Sequence, residues 1–208
     1  MKTILFQGDS ITDVNRSRDY DTWKGMGYPL LVTAQLSYAY PNQYTFYNRG
    51  IGGNRVVDLY ARIKEDIINL KPDVMSILIG VNDVWQECGG QHGVDAEKYF
   101  KVYAMLIEEV KAALPDIQIM ILEPFALKGT GNEAYWDEFY AEVKKRAAKA
   151  KEIAKRYDLT FIPLQDKFEE AAKQAPNEYW LMDGVHPTEA GHALIQNEWM
   201  KYFKQLKA

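Results

Sequence analysis

Short polar clusters along this chain contain residue types that together suit nucleophilic catalysis. They are a serine, an aspartate–histidine pair, a glycine and an asparagine. Ser10 follows a Gly-Asp pair near the start of the chain, and His186 follows Asp183 by three residues near its end. A serine hydroxyl needs an adjacent general base at neutral pH, and imidazole suits that task. We predict that Ser10 is the nucleophile, that His186 is its base and that Asp183 orients the imidazole.

An acyl-transfer site also needs N–H donors for the oxyanion of its tetrahedral intermediate. We predict that these donors are the Ser10 amide, the Gly53 amide in the glycine-rich turn 50–54, and the side chain of Asn82. Each cluster also has a simpler explanation. Asp9 and Ser10 could cap a helix, residues 82–83 could form a turn, and His186 could be a surface histidine. The presence of all the clusters in one chain favours catalysis.

Alternating strands and helices must position these clusters. Short β-branched or apolar runs predict five strands, over residues 3–6, 44–47, 73–80, 117–122 and 160–162. Helical spacing of apolar residues predicts helices over 29–38, 56–70, 96–114, 133–157 and 165–175, and from 188 onward, with loops at 13–21, 81–93, 123–132 and 179–187. This alternation indicates a parallel sheet inside one three-layer α/β/α domain, residues 1–208. The clusters then converge at the carboxyl ends of the strands.

Composition excludes several function classes. The chain has 208 residues, 47% hydrophobic and 26% charged, as is typical of a globular protein. With 25 basic and 29 acidic residues the net charge is −4, so no overall field favours nucleic acid or an anionic membrane. A single cysteine, Cys88, fits a reducing compartment. No signal-peptide pattern and no membrane-length apolar run is evident, so we expect a cytoplasmic protein.

The four clusters resemble the conserved blocks of the SGNH (GDSL-like) hydrolases. Gly-Asp-Ser-Ile-Thr at 8–12 resembles the first block, with Ile11 in place of the usual leucine. Residues 48–53, 80–83 and 183–187 resemble the other three. The resemblance implies a flavodoxin-like, five-stranded parallel sheet of order 2-1-3-4-5. It also implies that Gly53 rather than Gly52 is the oxyanion glycine, because of its distance from Asn48.

Within that family, residues 50–59 and 82–85 are particularly similar to bacterial intracellular acetylxylan esterases. The resemblance implies a serine esterase that removes acetyl groups from xylo-oligosaccharides or other sugars through an acyl-enzyme on Ser10. It also suggests a homo-oligomer. We expect no cofactor, no metal ion and no nucleic-acid or membrane partner. Substrate contacts are expected from Asp9 and from the rings of Trp23, Trp85 and Trp180, although such rings ordinarily pack in a core.

Two other functions remain open at this stage. The same blocks would serve a thioesterase or a lysophospholipase, whose substrates carry longer acyl chains. A carbohydrate-binding module without catalysis would also explain the tryptophans.

Three further hypotheses fit the sequence less well. A dinucleotide-binding turn at 50–53 lacks its third glycine, since Arg55 stands there. The nucleophile elbow of α/β-hydrolases needs a glycine where Thr12 stands. A metal hydrolase would need clustered ligands such as Asp183, His186 and His192, but the last of these is expected on the final helix.

Overall fold

The computed structural model describes residues 1–206, which form a five-stranded parallel sheet covered by helices on both faces. The strands are β1 (Lys2–Gly8), β2 (Tyr44–Asn48), β3 (Val74–Leu78), β4 (Gln118–Leu122) and β5 (Thr160–Ile162), in the order β2-β1-β3-β4-β5. The helices are α1 (Ser10–Asp13), α2 (Tyr28–Ala39), α3 (Val56–Ala61), α4 (Ile63–Asp66), α5 (Val81–Gly90), α6 (Ala96–Ala113), α7 (Trp136–Arg156), α8 (Gln165–Ala171), α9 (Asn177–Trp180) and α10 (Glu189–Leu206). The predicted domain also included residues 207–208, which lie outside the described residues.

Two hydrophobic cores lie on opposite faces of the sheet. Successive strand residues point to opposite faces, so Ile4 and Phe6 of β1 join one core while Leu5 joins the other. The first core packs against α2, α8 and α10, and the second packs against α3 and α6. The predicted three-layer α/β/α architecture and strand order are confirmed.

The prediction of a loop over 81–93 was wrong, because helix α5 occupies most of it. Its apolar residues Val81, Val84, Trp85 and Cys88 follow the i, i+3, i+4, i+7 spacing of a helix face. The two valines are buried, and the other two side chains pack against the same core. The signal was therefore present in the sequence, and the polar residues between these positions obscured it.

The helix predicted over 56–70 is interrupted. It consists of α3, α4 and a 3₁₀ turn, Ile68–Leu70, with Arg62 between the first two at φ −108° and ψ 16°. The Arg62 guanidinium donates to the Arg49 carbonyl at 2.7 Å and to the Asp66 carboxylate at 2.6 Å. The bond to Arg49 is a tertiary contact made at this bend, and apolar spacing alone does not reveal it.

The remaining departures are local. A 3₁₀ turn, Glu133–Tyr135, precedes α7, and α8 ends earlier than predicted. Helix α9 extends into the predicted loop 179–187, and the one-turn helix α1 begins at Ser10. None of the helices within residues 1–206 is both long and apolar enough to cross a membrane.

Candidate active site

Ser10 is the first residue of α1, directly beyond the carboxyl end of β1, which lies between β2 and β3 in the sheet. Asp9 caps this one-turn helix, since its Oδ1 accepts the Ile11 N–H at 2.9 Å. The Ser10 hydroxyl is thereby presented at the edge of the sheet where ligands of open α/β folds bind.

Asp183 and His186 lie in a tight turn between α9 and α10. Asp183 Oδ1 accepts the N–H groups of Val185 at 2.9 Å and His186 at 2.8 Å, so the carboxylate organises its own turn. Gly184 has φ +94°, and a side chain there would collide with the Leu127 carbonyl. The Asp-Gly-Val-His sequence therefore suits both the conformation and the packing of this turn.

The three side chains form one hydrogen-bonded chain. Asp183 Oδ2 lies 2.7 Å from His186 Nδ1, and His186 Nε2 lies 2.9 Å from Ser10 Oγ. An ionised carboxylate can only accept, so the Nδ1 atom carries the proton and Nε2 is free to accept the serine proton. This arrangement can activate Ser10 as a nucleophile.

The electrostatics of the pair agree with that assignment. Partial burial raises the pKa of Asp183, but hydrogen bonds from the His186 ring and from the backbone outweigh it and lower the pKa to about 2. The hydrogen bond to Asp183 raises the pKa of His186, against the opposing effect of burial. Asp183 is therefore ionised at neutral pH, and His186 is a stronger base than an isolated imidazole.

Two backbone amides near Ser10 have no acceptor among the described residues, namely those of Ser10 and Gly53. The Gly52 amide is occupied, because it donates to Asp13 Oδ2 at 2.9 Å. Gly53 has φ +80°, a conformation that favours glycine, and its carbonyl accepts from the Gln86 side chain. This geometry favours Gly53 over Gly52 as the source of an oxyanion donor.

Asn82 lies in the first turn of α5 and is almost completely buried. Its Nδ2 donates to the Asn54 carbonyl at 3.1 Å, and the second hydrogen of that amide has no acceptor within residues 1–206. The neighbouring Asp83 carboxylate accepts the Val56 N–H at 3.1 Å and so joins the starts of α5 and α3. These hydrogen bonds therefore fix the position of Asn82 relative to the glycine-rich turn 50–54.

A cavity of about 280 Å³ contains Ser10 and His186. Apolar and polar residues share its walls. The lining residues are Ser10, Ile11, Asp13, Val14, Asn15, Gly52, Met182, His186, Pro187 and His192.

The four residues predicted to contact substrate occupy different positions. The ring centroids of Trp85 and His186 are 5.6 Å apart, and Trp85 Nε1 donates to the Tyr135 hydroxyl at 2.8 Å. Trp23 is 55% exposed and donates to the Asn15 carbonyl at 3.0 Å, beside the cavity.

The other two are not among the residues that line the cavity. Trp180 lines a separate depression formed with residues of α8 and α10. Asp9 is 1% exposed and serves as the cap of α1, and burial raises its pKa to about 7. A direct substrate contact by either residue receives no support from these positions.

Sequence reasoning gave Asp13, Met182 and Pro187 no individual role, because no local pattern distinguishes them within their loops. His192 was considered only as a metal ligand. Its Nδ1 accepts the Tyr28 N–H at 3.2 Å, and the part of the chain that the structure describes contains no group of three His, Cys, Asp or Glu suited to a metal ion.

Known proteins match nearly the whole chain. The model of the GDSL-like lipase/acylhydrolase family matches residues 6–194. An acetylxylan esterase of Geobacillus stearothermophilus is 33% identical over 207 residues, which cover 95% of this chain and 92% of that protein.

Solved structures agree with these matches. A crystal structure described as a GDSL-like lipase from Parabacteroides merdae is 38% identical, with a TM-score of 0.91 over 96% of this chain and 94% of that one. The crystal structure of the Geobacillus acetylxylan esterase is 32% identical, with a TM-score of 0.86 over 96% and 93% of the two chains. The resemblance found in the sequence is confirmed: this chain belongs to the GDSL-like lipase/acylhydrolase family and is a carboxylic ester hydrolase.

Proposed function

We propose that this enzyme hydrolyses short-chain esters, in particular O-acetyl groups on xylo-oligosaccharides or other sugars. The observation that carries the proposal is the hydrogen-bonded series Ser10, His186 and Asp183 beside the free amides of Ser10 and Gly53 and the amide of Asn82. The acetylxylan esterase from Geobacillus supports the choice of acyl group and sugar.

The proposed reaction begins when Ser10 Oγ attacks the acetyl carbonyl carbon while His186 Nε2 takes the hydroxyl proton. The carbonyl oxygen becomes an oxyanion, which accepts hydrogen bonds from the Ser10 and Gly53 amides and from Asn82 Nδ2. When the tetrahedral intermediate collapses, the bond to the sugar oxygen breaks and His186 donates its proton to that oxygen. The sugar leaves with a free hydroxyl, and an acetyl ester remains on Ser10.

Water then completes the cycle. His186 removes a proton from a water molecule, whose oxygen attacks the acyl-enzyme carbonyl. The second intermediate collapses to acetic acid and the Ser10 alkoxide, which recovers the proton from His186. Asp183 stays ionised throughout and stabilises the imidazolium that forms in each half-reaction.

The size of the cavity favours a short acyl group over the long chains of a lysophospholipase. Each methylene of an acyl chain contributes about 0.8 kcal/mol only if an apolar groove covers it. The cavity has a volume of about 280 Å³, and Asp13, Asn15 and His192 interrupt its apolar walls.

The test compares kcat/KM for 4-nitrophenyl acetate and 4-nitrophenyl decanoate, with release of acetate from acetylated xylo-oligosaccharides as a second assay. We expect the acetyl ester to be preferred at least tenfold and the oligosaccharide to be deacetylated. A tenfold preference for the decanoyl ester would instead support a thioesterase or lysophospholipase activity.

A further inference from the structure

A second histidine, His192, lines the cavity that contains Ser10 and His186. It lies in the first turns of α10 and is only 4% exposed. The proposed mechanism gives this histidine no task, although a polar side chain in a catalytic cavity contacts whatever fills it.

Hydrogen bonding determines which nitrogen of this ring carries the hydrogen. The Tyr28 backbone N–H donates to His192 Nδ1 at 3.2 Å, so Nδ1 uses its lone pair as an acceptor. A neutral imidazole has one N–H, which must then be on Nε2. Burial lowers the pKa of His192 to about 4, so the ring stays neutral at physiological pH.

The packing holds the ring in one orientation. The Tyr28 ring stacks on it with 6.5 Å between centroids and 27° between planes. A side chain at Gly27 would come within 2.8 Å of His192 Cε1 and 3.1 Å of Nδ1, so that edge of the ring is pressed against the start of α2. Nε2 is not among the atoms nearest that position, so we take it as the polar atom that His192 offers to the cavity.

The Nε2 hydrogen has no acceptor among residues 1–206. Solvent reaches this nitrogen, since it is absent from the buried polar atoms that lack a partner. An apolar group placed over an unpaired N–H leaves it unsatisfied, which costs about 1–3 kcal/mol. An oxygen of the substrate would satisfy it. The cavity therefore discriminates in favour of substrates that carry an oxygen at this point.

We propose that His192 is a specificity-determining residue whose Nε2–H donates a hydrogen bond to a sugar oxygen of the substrate, outside the reacting ester group. The inference rests on the proposed function, since it assigns the cavity wall at His192 to the sugar. It predicts that esters whose alcohol part lacks such an oxygen are poorer substrates.

The experiment measures the ratio of kcat/KM for an acetylated xylo-oligosaccharide to kcat/KM for 4-nitrophenyl acetate, whose leaving group offers no sugar hydroxyl. His192→Phe keeps a flat ring but removes the donor. His192→Gln places an amide N–H near the position of Nε2. His192→Met provides a second donor-free variant of different shape, and His92→Phe is the matched control at an exposed histidine that does not line the cavity.

We expect His192→Phe and His192→Met to lower the ratio roughly 3-fold to 10-fold, the value of one hydrogen bond, mainly through KM for the oligosaccharide. His192→Gln should recover most of the ratio, and His92→Phe should match the wild type. Far-UV circular dichroism and thermal unfolding establish that each variant is folded.

Two results would overturn the inference while leaving the proposed function intact. One is a ratio within twofold of wild type in both donor-free variants. The other is an equal loss on both substrates, which would indicate a structural role for the ring. A wild-type enzyme that cleaves 4-nitrophenyl acetate but no sugar acetate would overturn the proposed function and, with it, this role of His192.

Discussion

The Gly52 backbone N–H donates a hydrogen bond to Asp13 Oδ2 at 2.9 Å. This bond ties the glycine turn to α1, the helix that carries Ser10. It also leaves the next amide along the chain, that of Gly53, without an acceptor among the described residues. Asp13 is therefore placed to position the proposed oxyanion donor relative to the nucleophile.

We predict that Asp13→Ala lowers kcat about tenfold, because a misplaced oxyanion donor weakens stabilisation of the transition state more than binding of the ester. Asp13→Asn should retain activity within about threefold, since its amide oxygen can still accept the Gly52 N–H. The measurement is steady-state hydrolysis of 4-nitrophenyl acetate.

Arg18→Ala is the control for this prediction. Arg18 forms an ion pair with Asp13 at 2.5 Å, and its loss leaves the acceptor for Gly52 in place. Wild-type kcat in Asp13→Ala would argue against positioning by this carboxylate, and a loss in Arg18→Ala as large as in Asp13→Ala would assign the effect to the ion pair.

The proposed triad predicts that Ser10→Ala and His186→Ala each lower kcat by at least about 10³-fold, because such residues act as a unit. A fluorophosphonate should label the wild type at Ser10, as shown by mass spectrometry of the digested protein, and it should leave Ser10→Ala unlabelled. His92→Ala serves as the histidine control. Near-normal turnover by either folded variant would contradict the mechanism.

Much of the fold and the reacting groups could be predicted because their signals are local. Short apolar runs marked all five strands, and the clusters around Ser10 and His186 were evident although 176 residues separate them. The rule that ligands bind at the carboxyl edge of a parallel sheet then brought the clusters together without any knowledge of side-chain contacts.

The walls of the cavity could not be predicted in this way. Trp85 and Trp180 both fall in stretches predicted as loops, yet only Trp85 lies against His186, since its position depends on the unpredicted helix α5. His192 enters the cavity because α10 packs against α2 at Gly27 and Tyr28, a tertiary contact with no sequence signature. The lining of the cavity therefore depends on packing between elements that are distant in the sequence.

Asn82→Ala should lower kcat on the order of 10²-fold to 10³-fold with little change in KM, the usual effect of losing one oxyanion donor. Asn82→Asp should lose as much, because a carboxylate of similar shape has no N–H to offer. Steady-state kinetics with 4-nitrophenyl acetate separates the two constants. An increase in KM alone would indicate that Asn82 only binds the ester.

The kcat/KM of the wild type should rise with pH as His186 loses its proton, because only the neutral ring can accept one from Ser10. The hydrogen bond that His186 donates to Asp183 raises the pKa of His186, so the midpoint of this rise should lie above the ordinary histidine value of about 6.5. In Asp183→Ala the bond is lost, and the midpoint of the residual activity should move to lower pH. A profile that is flat between pH 5 and 8 would contradict a histidine base.

Asp9 should make the stability of the wild type depend on pH. Burial raises its pKa from an ordinary 3.8 to about 7, so the folded protein holds this proton more tightly than the unfolded chain does. The contribution of this group to the free energy of unfolding is therefore fully present below about pH 4 and is lost as pH rises to about 7.

Asp9→Asn removes that dependence and keeps the cap, because the amide oxygen can still accept the Ile11 N–H. Relative to wild type, the variant should gain on the order of 2–3 kcal/mol in free energy of unfolding between pH 5 and pH 8, since each pKa unit is worth about 1.4 kcal/mol. Urea unfolding followed by circular dichroism at the two pH values measures the gain.

Asp9→Ala, the control, loses the cap as well and should be less stable than Asp9→Asn at both pH values. A difference between Asp9→Asn and wild type that is the same at pH 5 and pH 8 would show that Asp9 is ionised in the folded protein across this range.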